Sequence, residues 1–179
     1  MKRGIRKVIG LALLMTLTFS GTALAQSQKQ QLVIQSAQED SVLLPEFTKF
    51  SVGKSIETLR SKALASAMCT ITNKENGILG IYAETTMFQA VDWAGLTVYL
   101  DRWNEDGNIW NTVEMFEREF TPADTDDGEL TRAAVSIDVG TQPAGYYYRV
   151  RCIHELEYDN GWYEAKSTKT DGIMLTDIK

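Results

Sequence analysis

The chain has 179 residues, 44% apolar and 23% charged, with 24 Asp+Glu against 18 Lys+Arg and one histidine. That length is enough for one domain with a core of useful size. The acidic balance opposes nucleic-acid binding, which needs a basic face to displace counterions from phosphates. A single histidine cannot build a multi-histidine metal centre.

Residues 1–25 read as a secretory leader. Lys2, Arg3, Arg6 and Lys7 precede an apolar run from Val8 to Leu17, and Ala23-Leu24-Ala25 gives a small-x-small cleavage pattern. The run is shorter than the roughly 20 residues that span a bilayer. Gln26 rather than a cysteine follows the expected cut, which argues against a lipid anchor. Cleavage after Ala25 would remove four of the 18 basic residues and none of the acidic ones, leaving 14 and a net charge of −10. The expected product is soluble and extracellular, with no membrane attachment after cleavage and no nucleic-acid partner.

Residues 26–62 are polar and weakly patterned, and predict a flexible N-terminal arm or linker before a β domain at 63–179. Ser55–Met68 is the one stretch compatible with a helix. Beyond Ala63, strand-like runs alternate with turn clusters: Met68–Asn73, Ile78–Thr86, Gly95–Trp103, Ile109–Arg118, Leu130–Val139, Tyr146–Glu157, Trp162–Thr170 and a short one near Ile173–Leu175. This spacing predicts an all-β sandwich or barrel.

Two turns set hairpin registers. Asp106-Gly107 tolerates positive φ and places Trp103 opposite Trp110, Asp101 opposite Thr112, Leu100 opposite Val113 and Val98 opposite Met115. One face is then Leu96, Val98, Leu100, Val113 and Met115, a core face. The other carries Thr97, Tyr99, Asp101, Trp103, Trp110, Thr112, Glu114 and Phe116. Asn160-Gly161 places Glu155 opposite Lys166 and, less favourably, Glu157 opposite Glu164. Alternation puts Tyr148, Val150, Cys152, His154 and Leu156 on one side, and Arg149, Arg151, Ile153 and Glu155 on the other.

Cys69 and Cys152, 83 positions apart, predict one disulfide in an oxidising compartment. It would contribute about 4.5 kcal/mol by the chain-entropy model. His154, on the inward parity, reads as a core or rim residue with a satisfied ring. Asp124, Asp126, Asp127 and Glu129 form an acidic loop without EF-hand spacing, because Gly128 is fifth and Val135 twelfth from Asp124. Glu157 with Glu164, and Glu114 with Asp101, are carboxylate pairs of the kind a glycoside hydrolase uses, but they read only as surface neighbours with no cleft to raise one pKa. No Gly-x-Ser-x-Gly or nucleophile–base pair is present in the sequence. No catalytic residue, metal or cofactor is expected.

The run Gly145-Tyr146-Tyr147-Tyr148-Arg149-Val150-Arg151-Cys152, after Pro143, resembles the E–F corner and F strand of fibronectin type III and immunoglobulin-like sandwiches. There a tyrosine bonds back to lock the corner, and Tyr148 is the best match. Leu96–Val113 similarly resembles the C and C′ strands. Ala83–Thr86, Leu96–Trp103, Gly145–His154 and Ser167–Ile173 are similar to blocks of a family of small secreted bacterial proteins of unknown function. The resemblance implies a secreted sandwich of about seven strands and supplies no site residues. Cys69 would fall in the first strand rather than at the antibody position.

On such a sandwich, Tyr99, Trp103, Trp110, Arg149 and Arg151 share the outer face of one sheet. They predict either a cation–π ladder or a recognition face for an extracellular protein or glycan. The expected function is a secreted non-enzymatic binding or surface-interaction module. The alternatives are a carbohydrate-active hydrolase using acidic residues and a self-associating structural protein pairing through an edge strand or the arm near Val42–Leu44.

Overall fold

A computed structural model describes residues 20–56, 61–159 and 161–176. Among the described residues one α-helix, α1 (Ser20–Gln38), precedes nine strands: β1 (Phe50–Ile56), β2 (Leu64–Asn73), β3 (Leu79–Met87), β4 (Trp93–Asn104), β5 (Ile109–Phe120), β6 (Arg132–Val139), β7 (Tyr147–Tyr158), β8 (Trp162–Lys169) and β9 (Ile173–Met174). They form two antiparallel sheets. Sheet I has the order β1-β2-β3-β6 and sheet II the order β5-β4-β7-β8, with β9 pairing the start of β7.

Period-two alternation builds the layer between them. Ala67, Cys69 and Ile71 of β2 and Ile81 and Ala83 of β3 face Leu96, Val98 and Leu100 of β4 and Tyr148, Val150, Cys152 and Leu156 of β7. Strand β1 closes one side of the sandwich against β8. A Cβ on Gly53 would sit 1.9 Å from the Lys169 carbonyl oxygen, so only glycine permits that approach. Tyr148 donates from its hydroxyl to the Pro143 carbonyl, 2.8 Å away, and pins the turn that enters β7.

Three expectations are corrected. First, residues 26–62 do not form an extended arm. They hold most of α1, a segment tied to Asp171 and Gly172, and strand β1. The helix is also not at Ser55–Met68, where β1 ends and β2 begins, with residues 57–60 outside the described set.

Second, the β4–β5 hairpin pairs Trp103 with Trp110 and Asp101 with Thr112 as expected, but through a four-residue connection, Glu105–Asn108, with Asn108 at φ 49°. A bulge between Leu100 and Asp101 then sets Leu100 opposite Glu114, Tyr99 opposite Met115 and Val98 opposite Phe116. The extra residue reverses the parity of β5. Phe116 packs on the core and Met115 is exposed, opposite to the expected faces.

Third, the β7–β8 hairpin is slipped by one residue. Tyr158 pairs with Trp162, Leu156 with Glu164 and Glu155 with Ala165, leaving a three-residue connection with positive φ at Asp159 and Gly161. The slip removes the like-charge Glu157/Glu164 pairing that the two-residue turn imposes.

Of the expected leader, 1–25, positions 20–25 form the first turns of α1 and the rest lie outside the described residues. No described helix is long and apolar enough to cross a membrane.

Candidate functional site

The outer face of sheet II is where the sequence concentrates its unusual residues, and α1 lies across it. Strand β7 is therefore buried on both sides, its outer parity included: Arg149 is 0% and Arg151 2% exposed. Buried guanidinium groups need a full set of acceptors. Asp101, opposite Arg149 on β4, supplies the anion. Arg149 Nε donates to Asp101 Oδ2 at 3.0 Å. Arg151 donates to the same carboxylate at 2.6 Å through Nε and 3.1 Å through Nη2. Thr112 donates to Asp101 Oδ1 at 2.7 Å.

One carboxylate cannot balance two guanidinium groups. The surplus is met by the end of α1 and the residues just beyond it. Arg149 donates to the carbonyls of Ala37 (3.1 Å) and Glu39 (2.7 Å) and to Ser41 Oγ (3.1 Å). Arg151 donates to Ser36 Oγ at 2.9 Å and to the Val33 carbonyl at 3.4 Å. Carbonyls at a helix C-terminus lack intrahelical donors and carry the negative end of the macrodipole. The arginine pair thus caps α1 from the side. Burial lowers the pKa of Arg149, against the pull of Asp101.

Aromatic rings complete the layer. Arg149 stacks over Trp110 and Arg151 over Tyr99, each 4.7 Å from ring centroid, and Trp103 tilts against Trp110 at 5.2 Å. Gly172 lies so close to Trp110 that a Cβ there would come within 2.7 Å of the ring. The five residues singled out in the sequence are brought together, as a closed cation–π ladder whose guanidinium groups face α1. Nearer the start of α1, Lys29 meets Glu155 at 3.0 Å and Glu117 at 3.5 Å. Burial works against its charge, but the two carboxylates outweigh it and raise its pKa. The polar contacts that tie α1 to the sheet come from Lys29, Val33, Ser36 and Ala37, all beyond the expected cut.

Beside the ladder, α1 and β8 enclose an open groove of about 430 Å³. Gln28, Gln31, Leu32 and Gln35 form its helical wall, Tyr163, Glu164, Ala165 and Lys166 its strand wall, and Ser61 and Leu64 complete the lining. Glu164 accepts from Ser61 Oγ (2.5 Å), the Lys62 and Leu64 amides (2.8 and 3.1 Å) and Tyr158 Oη (2.6 Å). Burial alone would raise its pKa, but these donors bring it down to about 2. Trp162, 61% exposed, precedes Tyr163 at the hairpin end of β8, just outside the groove's lining, with Lys62 Nζ 5.0 Å from its ring.

The remaining sequence candidates are separate. His154 is fully buried between Thr85 Oγ1 (2.7 Å from Nδ1) and Thr168 Oγ1 (2.8 Å from Nε2), and burial lowers its pKa to about 3. Cys69 and Cys152 are both buried free thiols, which corrects the expected disulfide. Cys69 Sγ is directed at the Val150 carbonyl (3.8 Å) and Cys152 Sγ at its neighbour Ile153 O (3.6 Å). Burial raises the Cys69 thiol to about 12 and Cys152 well above its ordinary value. In the acidic loop, Asp124 accepts from Thr121 N (2.8 Å) and Oγ1 (3.1 Å), and Asp127 from Glu129 N (3.0 Å). Among the described residues no three acidic, histidine or cysteine side chains are placed to share a metal. Glu114 is bonded to Gln142 at 2.5 Å, while Asp101 serves the arginines.

Sequence reasoning missed Ser36, Ser41, Trp162 and the glutamine wall. The available signal was helix propensity, since Gln26–Gln38 contains six glutamines with leucine, lysine and alanine and neither proline nor glycine. Compared with known proteins, the chain matches no family model and no curated protein is detectably similar.

Proposed function

We propose that this is a secreted, non-catalytic binding module on a fibronectin type III-like sandwich, exported by the leader 1–25. The order β5-β4-β7-β8 supports the fold type, because it corresponds to C′–C–F–G, as does the Tyr148–Pro143 bond at the corner before F. Strand β1 is then an addition beside the first strand. Similarity to secreted bacterial proteins in four short blocks belongs to the same reading.

One observation carries the binding role: α1, laid across sheet II, leaves a concave groove of ligand size on a rigid support. The aromatic–arginine ladder holds that wall in place rather than meeting a ligand itself. The non-catalytic reading is supported by how the reactive groups are used. His154 bonds two threonines, Asp101 two arginines, Glu164 a turn and Glu114 a glutamine.

A second reading, self-association, is favoured by Phe50 and Val52, exposed side by side in parity on edge strand β1. Screening the secreted protein against extracellular glycans and cell-surface proteins tests the first reading, and light scattering over a concentration series tests the second. Turnover of any glycan in the screen would reject the non-catalytic reading.

A further inference from the structure

We infer that the groove between α1 and β8 is a binding site for a neutral oligosaccharide. The inference rests on the binding-module reading and gives it a ligand class. Three features of the groove converge on it.

The first is its hydrogen-bonding chemistry. Gln28, Gln31 and Gln35 are spaced i, i+3, i+7 and project from one side of α1 into the groove. Each amide offers two donors and an acceptor oxygen, and none of the three side chains bonds another described residue. A row of amides that both give and receive matches sugar hydroxyls, which do the same. The second is charge. The one carboxylate on the strand wall, Glu164, is consumed by Ser61, Tyr158 and two backbone amides, and Lys166 is itself partnered. Neither a cationic nor an anionic ligand finds a ready counter-charge. The third is Trp162. An indole 61% exposed, one residue beyond the strand wall that Tyr163 begins, offers an apolar plate to the C–H face of a pyranose ring running out of the groove, with Lys62 Nζ on its other side at 5.0 Å. A volume of about 430 Å³ accommodates one or two sugar rings with the chain running out at the open end.

The test is titration of the secreted protein with neutral hexasaccharides of glucose, xylose, mannose and N-acetylglucosamine to millimolar concentration. Tryptophan fluorescence and calorimetry are the readouts, with an acidic uronic-acid hexamer alongside. At least one neutral series is expected to bind and shift the emission. Trp162→Ala should weaken it more than about tenfold, and Gln31→Ala and Gln35→Ala each about fivefold, the worth of one hydrogen bond. Both glutamine replacements favour helix, so circular dichroism should be unchanged. Phe88→Ala, at an exposed ring that neither lines the groove nor belongs to the ladder, should bind as the parent does.

Silence of all four neutral series overturns the inference, as does binding that Trp162→Ala leaves intact, or preference for the acidic hexamer. A protein or peptide hit in the wider screen, with the sugars silent, keeps the module reading and removes this one.

Discussion

Arg151 grips both oxygens of Asp101, Nε to Oδ2 at 2.6 Å and Nη2 to Oδ1 at 3.1 Å, with both side chains excluded from water. Removing the carboxylate charge leaves two buried guanidinium groups without an anion. Asp101→Asn is expected to cost about 3–5 kcal/mol, the usual penalty for breaking one member of a buried ionic cluster. A urea unfolding midpoint that barely moves would mean the arginines find relief elsewhere.

The docking of α1 is predicted to be more polar than apolar. An isolated helix of this length is marginal in water, more so if cleavage after Ala25 shortens it, and this one turns Ile34, 57% exposed, away from the sheet while burying Ser36. Ser36→Ala therefore separates two effects. It raises intrinsic helix propensity but leaves an Arg151 donor unmet, at about 1–3 kcal/mol. Hydrogen exchange should quicken in α1 while the β2–β3 amides keep their protection. Unchanged exchange in α1 would show that Leu32 and Val33 carry the contact instead.

Acid should loosen the fold through His154. Its folded pKa of about 3 lies below the unfolded value near 6.5, so below pH 6.5 the unfolded chain takes up a proton that the native state refuses. Stability is complete above pH 6.5 and falls by about 1.4 kcal/mol per unit as pH drops towards 3. His154→Gln keeps a donor and an acceptor between Thr85 and Thr168 and should flatten the slope between pH 6 and 5. A slope that persists there would assign it to other groups.

Glu164→Gln should open the turn at 61–64. The carboxylate is partly exposed, so solvent screening holds its contribution to about 1 kcal/mol. Its pKa of about 2 means that this contribution is present above the ordinary carboxylate range and is lost as pH falls towards 2. The variant should melt lower at pH 7 and match the parent near pH 2. A constant gap between the two across that range would point to lost packing instead.

Both cysteines should count as free thiols. The folded protein is expected to resist alkylation, because the sulfurs are buried and burial keeps them protonated. Denaturation without reductant should then expose two reactive groups. An intact mass two hydrogens lighter, with no reactivity after unfolding, would restore the bridge expected from the compartment.

Much of sheet II was legible. The Trp103–Trp110 and Asp101–Thr112 pairs and the buried parity of Tyr148 to Leu156 followed from turn position and alternation alone. The bulge near Leu100 was not, because an inserted residue leaves no compositional mark and Met115 and Phe116 are each credible core residues. The slip in β7–β8 was half visible, in the clash of Glu157 with Glu164 that the simpler turn demands. Helix α1 was hidden for a different reason. Periodicity reports apolar burial, and this helix is fastened by carbonyls, a serine and two arginines. Its trace lies in the partner strand, where Arg149, Arg151 and Glu155 alternate with core residues and require a roof.

That fastening spans 112 positions between Ala37 and Arg149. A chain that emerges amino end first offers α1 before β7 exists, and a contact so distant in sequence forms only after the intervening loop has closed. Helix α1, which emerges before every strand described, is therefore among the last elements to be secured, and its docking waits until the final third of the polypeptide has arrived.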